Sequence, residues 1–326
     1  MARYVTRRLL WAIPTVLVVT FIAFLTLRAV TDPIASYHRV NPRATAEKLQ
    51  QYRQVNGLVG SVPEQYFRWL GHFVTGHWGT SIKGSRPVWP AMREAMGNTL
   101  VLGTVAWIVG MTVGVAVGMI AALRPHSRYD RITTTGAFVG VSMLPFISAV
   151  LLQLLFAVYL TRWLGRSEPF LPTSGVYPPG HEGFDLALRA KHLVLPVTVL
   201  AIQSIALYSR YARTSLLEVM GSDHLRTARS KGISERRVVL RHGLRNAMTP
   251  IVTLAALEVG SIVGGLIVTE RIFAYRGMGD YFLTAWTNGD YPQLMPWLVI
   301  TVVSVVVFNL VADVLYAVLD PRARLA

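Results

Sequence analysis

Apolar positions in this 326-residue chain come in long runs rather than in alternation, and polar segments of very unequal length separate the runs. A helix of about 20 apolar residues crosses the ~30 Å hydrocarbon core of a bilayer. On that criterion six runs read as spans: Leu9–Leu27, Thr99–Leu123, Ile132–Leu160, Leu193–Tyr208, Thr249–Val268 and Leu294–Leu319. The fourth is the weakest, because Pro196 and Gln203 interrupt it and Lys191-His192 stand at its start, and Pro145 and Gln153 interrupt the third. A bundle tolerates such breaks where neighbouring helices satisfy the freed backbone groups. The first run follows Arg3, Arg7 and Arg8 as a secretory signal would, but it is long for one and no A-x-A-like site follows promptly.

The segments between the runs have different characters. Val30 to Gly97 is long and rich in Trp, Tyr, Pro and Gly, which predicts a small ordered cap; Trp69, Trp78, Trp89 and Tyr66 either dock a partner or form the cap's own core, and the core reading is preferred. Gly165 to Ala190 carries Pro169, Pro172, Pro178 and Pro179 and reads as loop, while Arg271 to Gln293 reads as a short aromatic re-entry containing Gly277 and Gly279. The stretch from Arg210 to Ala247 is basic and helix-prone between two apolar runs. Ser222 or Asp223 serves as an N-cap and Gly232 as the residue that ends a helix of two to three turns. A second helix starts at Ser234, with Val238, Val239 and Leu240 on one face and arginines on the other. A short helix lying flat under a membrane and offering side chains to a partner fits this pattern, against the plainer reading of a solvated connector touching anionic lipid.

Composition agrees with a membrane protein. Hydrophobic residues make up 52% of the chain and charged residues 15%, where an ordinary soluble domain carries about 25% charged. With the N-terminus in the cytoplasm, the inside segments hold Arg3, Arg7, Arg8, Arg124, Arg128, Arg131, nine basic residues from Arg210 to Arg245, and Arg322 and Arg324; the outside segments, about twice as long, hold the other fifteen of 32. Basic density therefore places both termini inside. The net charge of +15 follows from this topology, and neither an RNA-binding aromatic motif nor a helix-turn-helix accompanies it, so no nucleic-acid partner is expected.

Catalytic signatures are missing. The chain has no cysteine, no P-loop, no H-E-x-x-H and no His pair at i, i+4, and Gly140-Val141-Ser142-Met143-Leu144 lacks the second glycine of a nucleophile elbow. Within the spans, Gly110, Gly114 and Gly118, and likewise Gly260 and Gly264, recur every fourth residue and read first as close-packing positions. Glu258 is the acid at span depth; it either lines a path through the bundle and meets a cationic group there or pairs with an arginine. Gln153 and Gln203 are further cavity candidates, Gly264-Gly265 a point of flexibility, and Asn309 with Asp313 a structural pair.

The stretch Asp223 to Asn246 resembles the cytoplasmic loop of B-type permease subunits of bacterial dipeptide and oligopeptide ABC importers. Matching stretches run in the same order along essentially the whole chain. They include Arg7-Arg8-Leu9-Leu10, Asp32-Pro33, Gly57-Leu58, Trp78-Gly79, Asn98-Thr99-Leu100, Tyr129-Asp130-Arg131, Pro145-Phe146, Glu270, Ile272-Phe273, Gly277-Met278-Gly279, Asp290-Tyr291-Pro292 and Asp320-Pro321-Arg322. The broader importer family has a loop reading Glu-Ala-Ala, three residues, then Gly. Laying Gly232 on that Gly puts Arg226, Thr227 and Ala228 on Glu-Ala-Ala, so only Ala228 and Gly232 match, with Asp223 one turn earlier as the acidic contact.

The resemblance implies an all-α polytopic protein of the bacterial plasma membrane with six transmembrane helices, both termini inside. It implies a first helix at 1–29, an extracytoplasmic cap at 30–97 and a five-helix permease core at 98–326 with a coupling loop at 213–247. The implied ATPase-coupling residues are Asp223, Arg226, Thr227, Ala228, Lys231 and Gly232, and the substrate-path candidates are Glu258, Gly264, Gly265 and Gln153. Implied partners are a second related permease, two cytoplasmic ABC ATPases, an extracytoplasmic binding protein, peptide and membrane lipid. ATP sits on the partner subunits and no cofactor on this chain. Nickel and glutathione importers carry subunits of the same pattern. The competing class is a secondary transporter driven by an ion gradient, which needs charge relays or an inverted repeat; a membrane-embedded hydrolase needs a nucleophile–base pair at span depth. Neither pattern is visible.

Overall fold

The computed structural model describes residues 2–84, 86–181 and 183–319; Arg322, Arg324 and the Asp320-Pro321-Arg322 match lie outside them, as does the side chain of Asp313. All regular elements among the described residues are helices: α1 Ala2–Val30, α2 Pro33–Val40, α3 Ala46–Val55, α4 Val62–Val74, α5 Val88–Leu123, α6 Arg128–Ser142, α7 Pro145–Trp163, α8 Leu186–Met220, α9 Asp223–Ser230, α10 at 235–262, α11 Ile267–Ile272, α12 Met278–Asn288 and α13 Tyr291–Leu319. Among the described residues five helices are long and apolar enough to cross a membrane, namely α1, α5, α7, α8 and α13, and α10 contributes a shorter apolar stretch, Asn246–Ile262.

Two of the runs are not continuous helices. Ile132–Leu160 divides into α6 and α7, because Pro145 has no N–H to donate and pushes Leu144 into extended backbone (ψ 138°). The carbonyl of Met143, freed at this break, accepts the Gln203 side-chain amide from α8 at 3.0 Å. Thr249–Val268 likewise ends as a helix at Ile262 and resumes at Ile267. Gly265 between them has φ +97°, and a side chain there would overlap the amide of Gly279, so only glycine fits. Elsewhere helices outrun the apolar runs. The Gly165–Ala190 loop yields to helix at Leu186, where Asp185 caps the first turn through Leu188 N at 3.0 Å.

The longest mutual packing is between α5 and α8. The glycine stripe of α5 faces α8: a methyl group at Gly114 would sit 2.8 Å from Tyr208 Cβ and 2.9 Å from the Ile205 carbonyl, and one at Gly118 would overlap the Ser209 carbonyl. Gly260 and Gly264 play the same part against Phe308 and Thr301 of α13. Close approach therefore accounts for both stripes, as dispersion between touching backbones requires where lipid and side chains are equally apolar.

The insert between α1 and α5 is tied to the bundle. Tyr66 of α4 is buried against Phe21 and Phe24 of α1, its hydroxyl 2.8 Å from Thr20 Oγ1, and it shares a core with Tyr291, Leu294 and Met295 of α13. Trp78 stacks on Phe73, meets Trp89 edge-on and donates its indole N–H to the Phe73 carbonyl. The aromatic residues of the insert thus form its own core, with Trp89 half exposed.

One buried charge fastens α6 to α8. Asp130, 3% exposed, accepts from the Arg213 guanidinium through Nε and through Nη2 at 2.9 Å, and from the His126 amide at 2.9 Å. The Arg213 hydrogen bond holds the Asp130 carboxyl down to about 2 from its ordinary 3.8. A depressed carboxylate pKa contributes stability that is present above the unfolded value and lost as pH falls toward the folded one. Asp130→Asn should therefore lower the thermal midpoint of the purified protein at neutral pH, and the gap from wild type should close between about pH 4 and pH 2. A gap independent of pH would show that the pair does not act through charge.

Candidate functional site

Three side-chain constellations have the geometry to do more than fill space. The first is α9 and the turn after it. Its buried face is its own: Leu225, Ala228 and Val238 form a small core with Val219, Met220 and Ile233. Asp223, Arg226, Thr227 and Lys231 are exposed. Ala228 thus packs inward, where its small side chain lets α9 lie close against the start of α10. The helix ends as its sequence predicts. Lys231 N bonds the Thr227 carbonyl at 3.2 Å, Gly232 N the Arg229 carbonyl at 2.9 Å, and Gly232 takes φ +73°. Arg229 then clasps Glu235 across the turn with Nη2–Oε1 at 2.9 Å and Nε–Oε2 at 3.1 Å, two parallel hydrogen bonds that bridge α9 and α10 on the exposed side of the corner. The pair lowers Glu235 below the usual carboxylate range. Among the described residues, its chain neighbours aside, no atom lies within 4 Å of where a side chain at Gly232 would start, so that corner is open to an outside surface.

The second is the Glu258 site. It borders a cavity of about 240 Å³ lined by residues of α5, α8 and α10, including Trp107, Gln203, Ser204 and Ser261. Ser204 Oγ donates to Glu258 Oε1 at 3.1 Å, Tyr208 Oη donates to Oε2, and Trp107 Nε1 donates to Tyr208 Oη at 3.1 Å. Two donors leave roughly half of a carboxylate's acceptor capacity for something in the cavity. The described neighbours of Glu258 are hydroxyls, and no arginine pairs with it among the described residues. Gln203 borders the same cavity, whereas Gln153, Gly264 and Gly265 do not. Gln153 donates to the Thr173 carbonyl at 3.1 Å, and the two glycines pack against α12 and α13.

The third constellation was legible in the sequence only as a family match. Glu270 of α11 is fully buried. Its Oε1 accepts from Thr99 Oγ1 at 2.6 Å and Leu266 N at 3.3 Å, its Oε2 from Gly279 N at 2.7 Å and Asp280 N at 3.1 Å. Thr99 Oγ1 in turn accepts from Met278 N at 2.7 Å. One carboxylate therefore caps α12, holds the broken backbone at Leu266 and ties both to α5. Gly277 has no room for a side chain, which would overlap the Glu270 carboxyl. The signal available beforehand was a single acid five residues after a Gly-Gly pair, which spacing alone does not mark.

An all-helical membrane protein with a basic helical segment between its apolar helices α8 and α10 defines a class of transport subunit, and comparison with known proteins places it. Residues 1–116 match the family described as "Binding-prot-dependent transport system membrane comp, N-term" and residues 114–325 the "Binding-protein-dependent transport system inner membrane component". The chain belongs to this family of inner-membrane, multi-pass permease subunits.

It is 38% identical over 325 residues to the oligopeptide transport system permease protein AppB of Bacillus subtilis (99% of each chain). It is 34% identical over 325 residues to the glutathione transport system permease protein GsiC of Salmonella paratyphi A, and 33% over 340 to the dipeptide transport system permease protein DppB of Escherichia coli, again with 99% of each chain covered. Among solved structures, a chain of the inward-facing MetNI methionine ABC transporter shares the fold with a TM-score of 0.55 at 18% identity, covering 72% of this chain and 99% of that one.

Glu270→Gln keeps the size of the side chain but turns one acceptor into a donor facing amide donors, and unsatisfied buried groups cost about 1–3 kcal/mol each. The variant is expected to melt several degrees lower in detergent than wild type, and Thr99→Val to do the same by a smaller amount. An unchanged melting curve for both would mean that the clasp does not hold α11 and α12.

Proposed function

We propose that this chain is one transmembrane subunit of an ATP-driven importer of short peptides. In this reading it forms half of a translocation path with a second, related permease. Two cytoplasmic ABC ATPases bind and hydrolyse ATP, and an extracytoplasmic binding protein delivers the solute. The full-length likeness to peptide permeases supports the solute class. The likeness to a glutathione permease favours glutathione as the second candidate, itself a small peptide.

The observation that carries the coupling role is the shape of α9: a short helix braced from behind by its own core and by Arg229–Glu235, with its polar face and the Gly232 corner left open. Such a brace transmits a push rather than absorbing it. In the proposed topology six segments cross the membrane with both termini inside, α10 being the fifth despite its shorter apolar stretch. Residues 30–97 form the extracytoplasmic cap, 98–326 the permease core, and 213–247 the coupling loop. ATPase closure presses on Asp223, Arg226, Thr227, Lys231 and the Gly232 corner, and alternating access follows from the differential affinity of the ATPases for the two states.

Glu258 is assigned to the path, where its spare acceptor capacity suits the ammonium group of a peptide. Gln153, Gly264 and Gly265 then act on the path only indirectly, through the loop after α7 and the α11–α12 contact.

Pull-down of the chain from its native membrane should recover an ATPase and a second permease. Gly232→Asp, which meets no atom but carries the left-handed backbone cost of about 1 kcal/mol, should leave membrane levels normal and lose the ATPase. Normal co-purification of the ATPase with that variant would refute the contact, and uptake without ATP in liposomes would refute the importer. In reconstituted complex, Glu258→Gln should raise the KM for a free-amine peptide about tenfold and change little for its N-acetyl form. Equal effects on both would remove Glu258 from solute recognition.

A further inference from the structure

Where α5, α6 and α8 meet toward the basic end of the bundle, they enclose a cavity of about 170 Å³. Gly118 of α5, Thr134 and Phe138 of α6, and Arg210, Arg213 and Thr214 of α8 line it. It shares no lining residue with the Glu258 cavity. Its volume is below the ~300–1,000 Å³ of pockets that take a whole small molecule, and suits a single ionic group.

The two guanidiniums define the charge of that group. Arg213 gives Nε and Nη2 to Asp130, which leaves Nη1 for another acceptor. Arg210 is exposed and lies over the Phe138 ring, its Cζ 4.6 Å from the centroid. That contact fixes the guanidinium at the edge of the cavity. Among the described residues its N–H groups have no carboxylate or other acceptor. The Asp130 carboxylate is already held by Arg213, while Arg124, Arg128 and Arg131 stand in and beside the turn that joins α5 to α6, so the local excess of charge is positive.

The surface beside the cavity is apolar. Phe138 is 54% exposed, and Val139 and Val141 of the same helix are exposed with it. A pocket with two guanidiniums at whose edge an apolar helix face begins is complementary to an amphiphile that joins an anionic head to a fatty chain. Planar guanidiniums bind phosphate oxygens in pairs, which favours phosphate as the head.

We propose that this cavity binds the phosphate of an anionic phospholipid, whose acyl chain lies along the exposed face of α6. Arg210 grips two phosphate oxygens, and Arg213 Nη1 and the Thr214 hydroxyl supply further donors. The lipid thereby joins α6 to α8 beside the Asp130–Arg213 pair, on the stretch of α8 that leads to α9. In the proposed topology this is the cytoplasmic leaflet, where basic clusters attract anionic lipid. The choice of leaflet rests on that topology; the chemistry of the site does not.

The test is native mass spectrometry of the transport complex in detergent, titrated with phosphatidylglycerol and separately with phosphatidylcholine of the same acyl chains. One phosphatidylglycerol per copy of this chain should bind about tenfold tighter than phosphatidylcholine, whose choline would set a cation among arginines. Arg210→Gln should weaken that lipid about tenfold and Thr214→Val about threefold, with Arg210→Lys, which keeps the charge but loses the fork, in between. Arg128→Gln removes the same charge outside the cavity and should change binding by less than about twofold. Arg210 is exposed, and the mass of the intact complex shows directly that each variant assembles.

Equal losses in Arg210→Gln and Arg128→Gln would overturn the site, leaving a diffuse basic surface. Equal binding of the two lipids, no retained lipid, or displacement of the lipid by inorganic phosphate at the same concentration would each remove an anionic phospholipid as the occupant. The chain has no cysteine, so Val139→Cys introduces a single cross-linking position. A cross-link from it to a second permease, with lipid retention unchanged in Arg210→Gln, would assign the face to protein contact instead. The measurement needs neither leaflets nor transport: a failure of lipid binding leaves the importer reading standing, and a failure of ATP-driven uptake leaves the lipid site.

Discussion

A peptide N–H or C=O facing hydrocarbon finds no water to replace a lost helical partner, so every interruption of a helix at membrane depth must be answered from within the protein. Among the described residues the apolar helices are interrupted twice, before Pro145 and at Gly264-Gly265. Each break has a polar side chain assigned to it, from a separate helix at the first and from the resuming helix itself at the second. Gln203 of α8 reaches the Met143 carbonyl, and Glu270 of α11 reaches the amide of Leu266. The arrangement of α6, α7, α11 and α12 follows from where these two side chains can reach.

The same side chains link the breaks to the Glu258 cavity. Gln203 stands one residue from Ser204 on α8, and both border the Glu258 cavity. Glu270, through Thr99, connects the α11–α12 re-entry to α5, whose Gly103 borders that cavity too. A rotation of α8 or α5 therefore changes the support of a break and the shape of the cavity together. Packed cores respond to such shifts by switching between discrete arrangements rather than by bending smoothly, which suits a transporter that alternates between two exposures.

At the other end of α8, the helix continues past its apolar stretch to Met220 and hands over to α9 within a turn. Asp130 grips Arg213 on that extension, two turns before the handover. The brace of α9 by Arg229 and Glu235 and the grip on Arg213 form a stiff line from the exposed polar face of α9 into the glycine-packed α5–α8 pair. In the proposed mechanism this line carries the motion of the ATPases to the cavity.

The membrane class, the helical periodicity, the cap and end of α9, and the glycine stripes were all legible in the sequence, because each depends on neighbours within a few residues or on the composition of a run. Apolar length marks the five helices long enough to cross a membrane, Ser222 and Gly232 bound a short helix, and glycines four apart allow backbones to approach closely. Tertiary structure decided the rest. An apolar run does not reveal whether it is one helix or two, since the cost of breaking it depends on tertiary partners, Gln203 of α8 at Pro145 and Thr99 of α5 behind Glu270 at Gly265. The inward packing of Ala228, the hydroxyl partners of Glu258, the burial of Glu270 beneath Gly277 and the pairing of Asp130 with Arg213 join residues far apart in the chain. Their physical meaning exists only once the fold has brought them together.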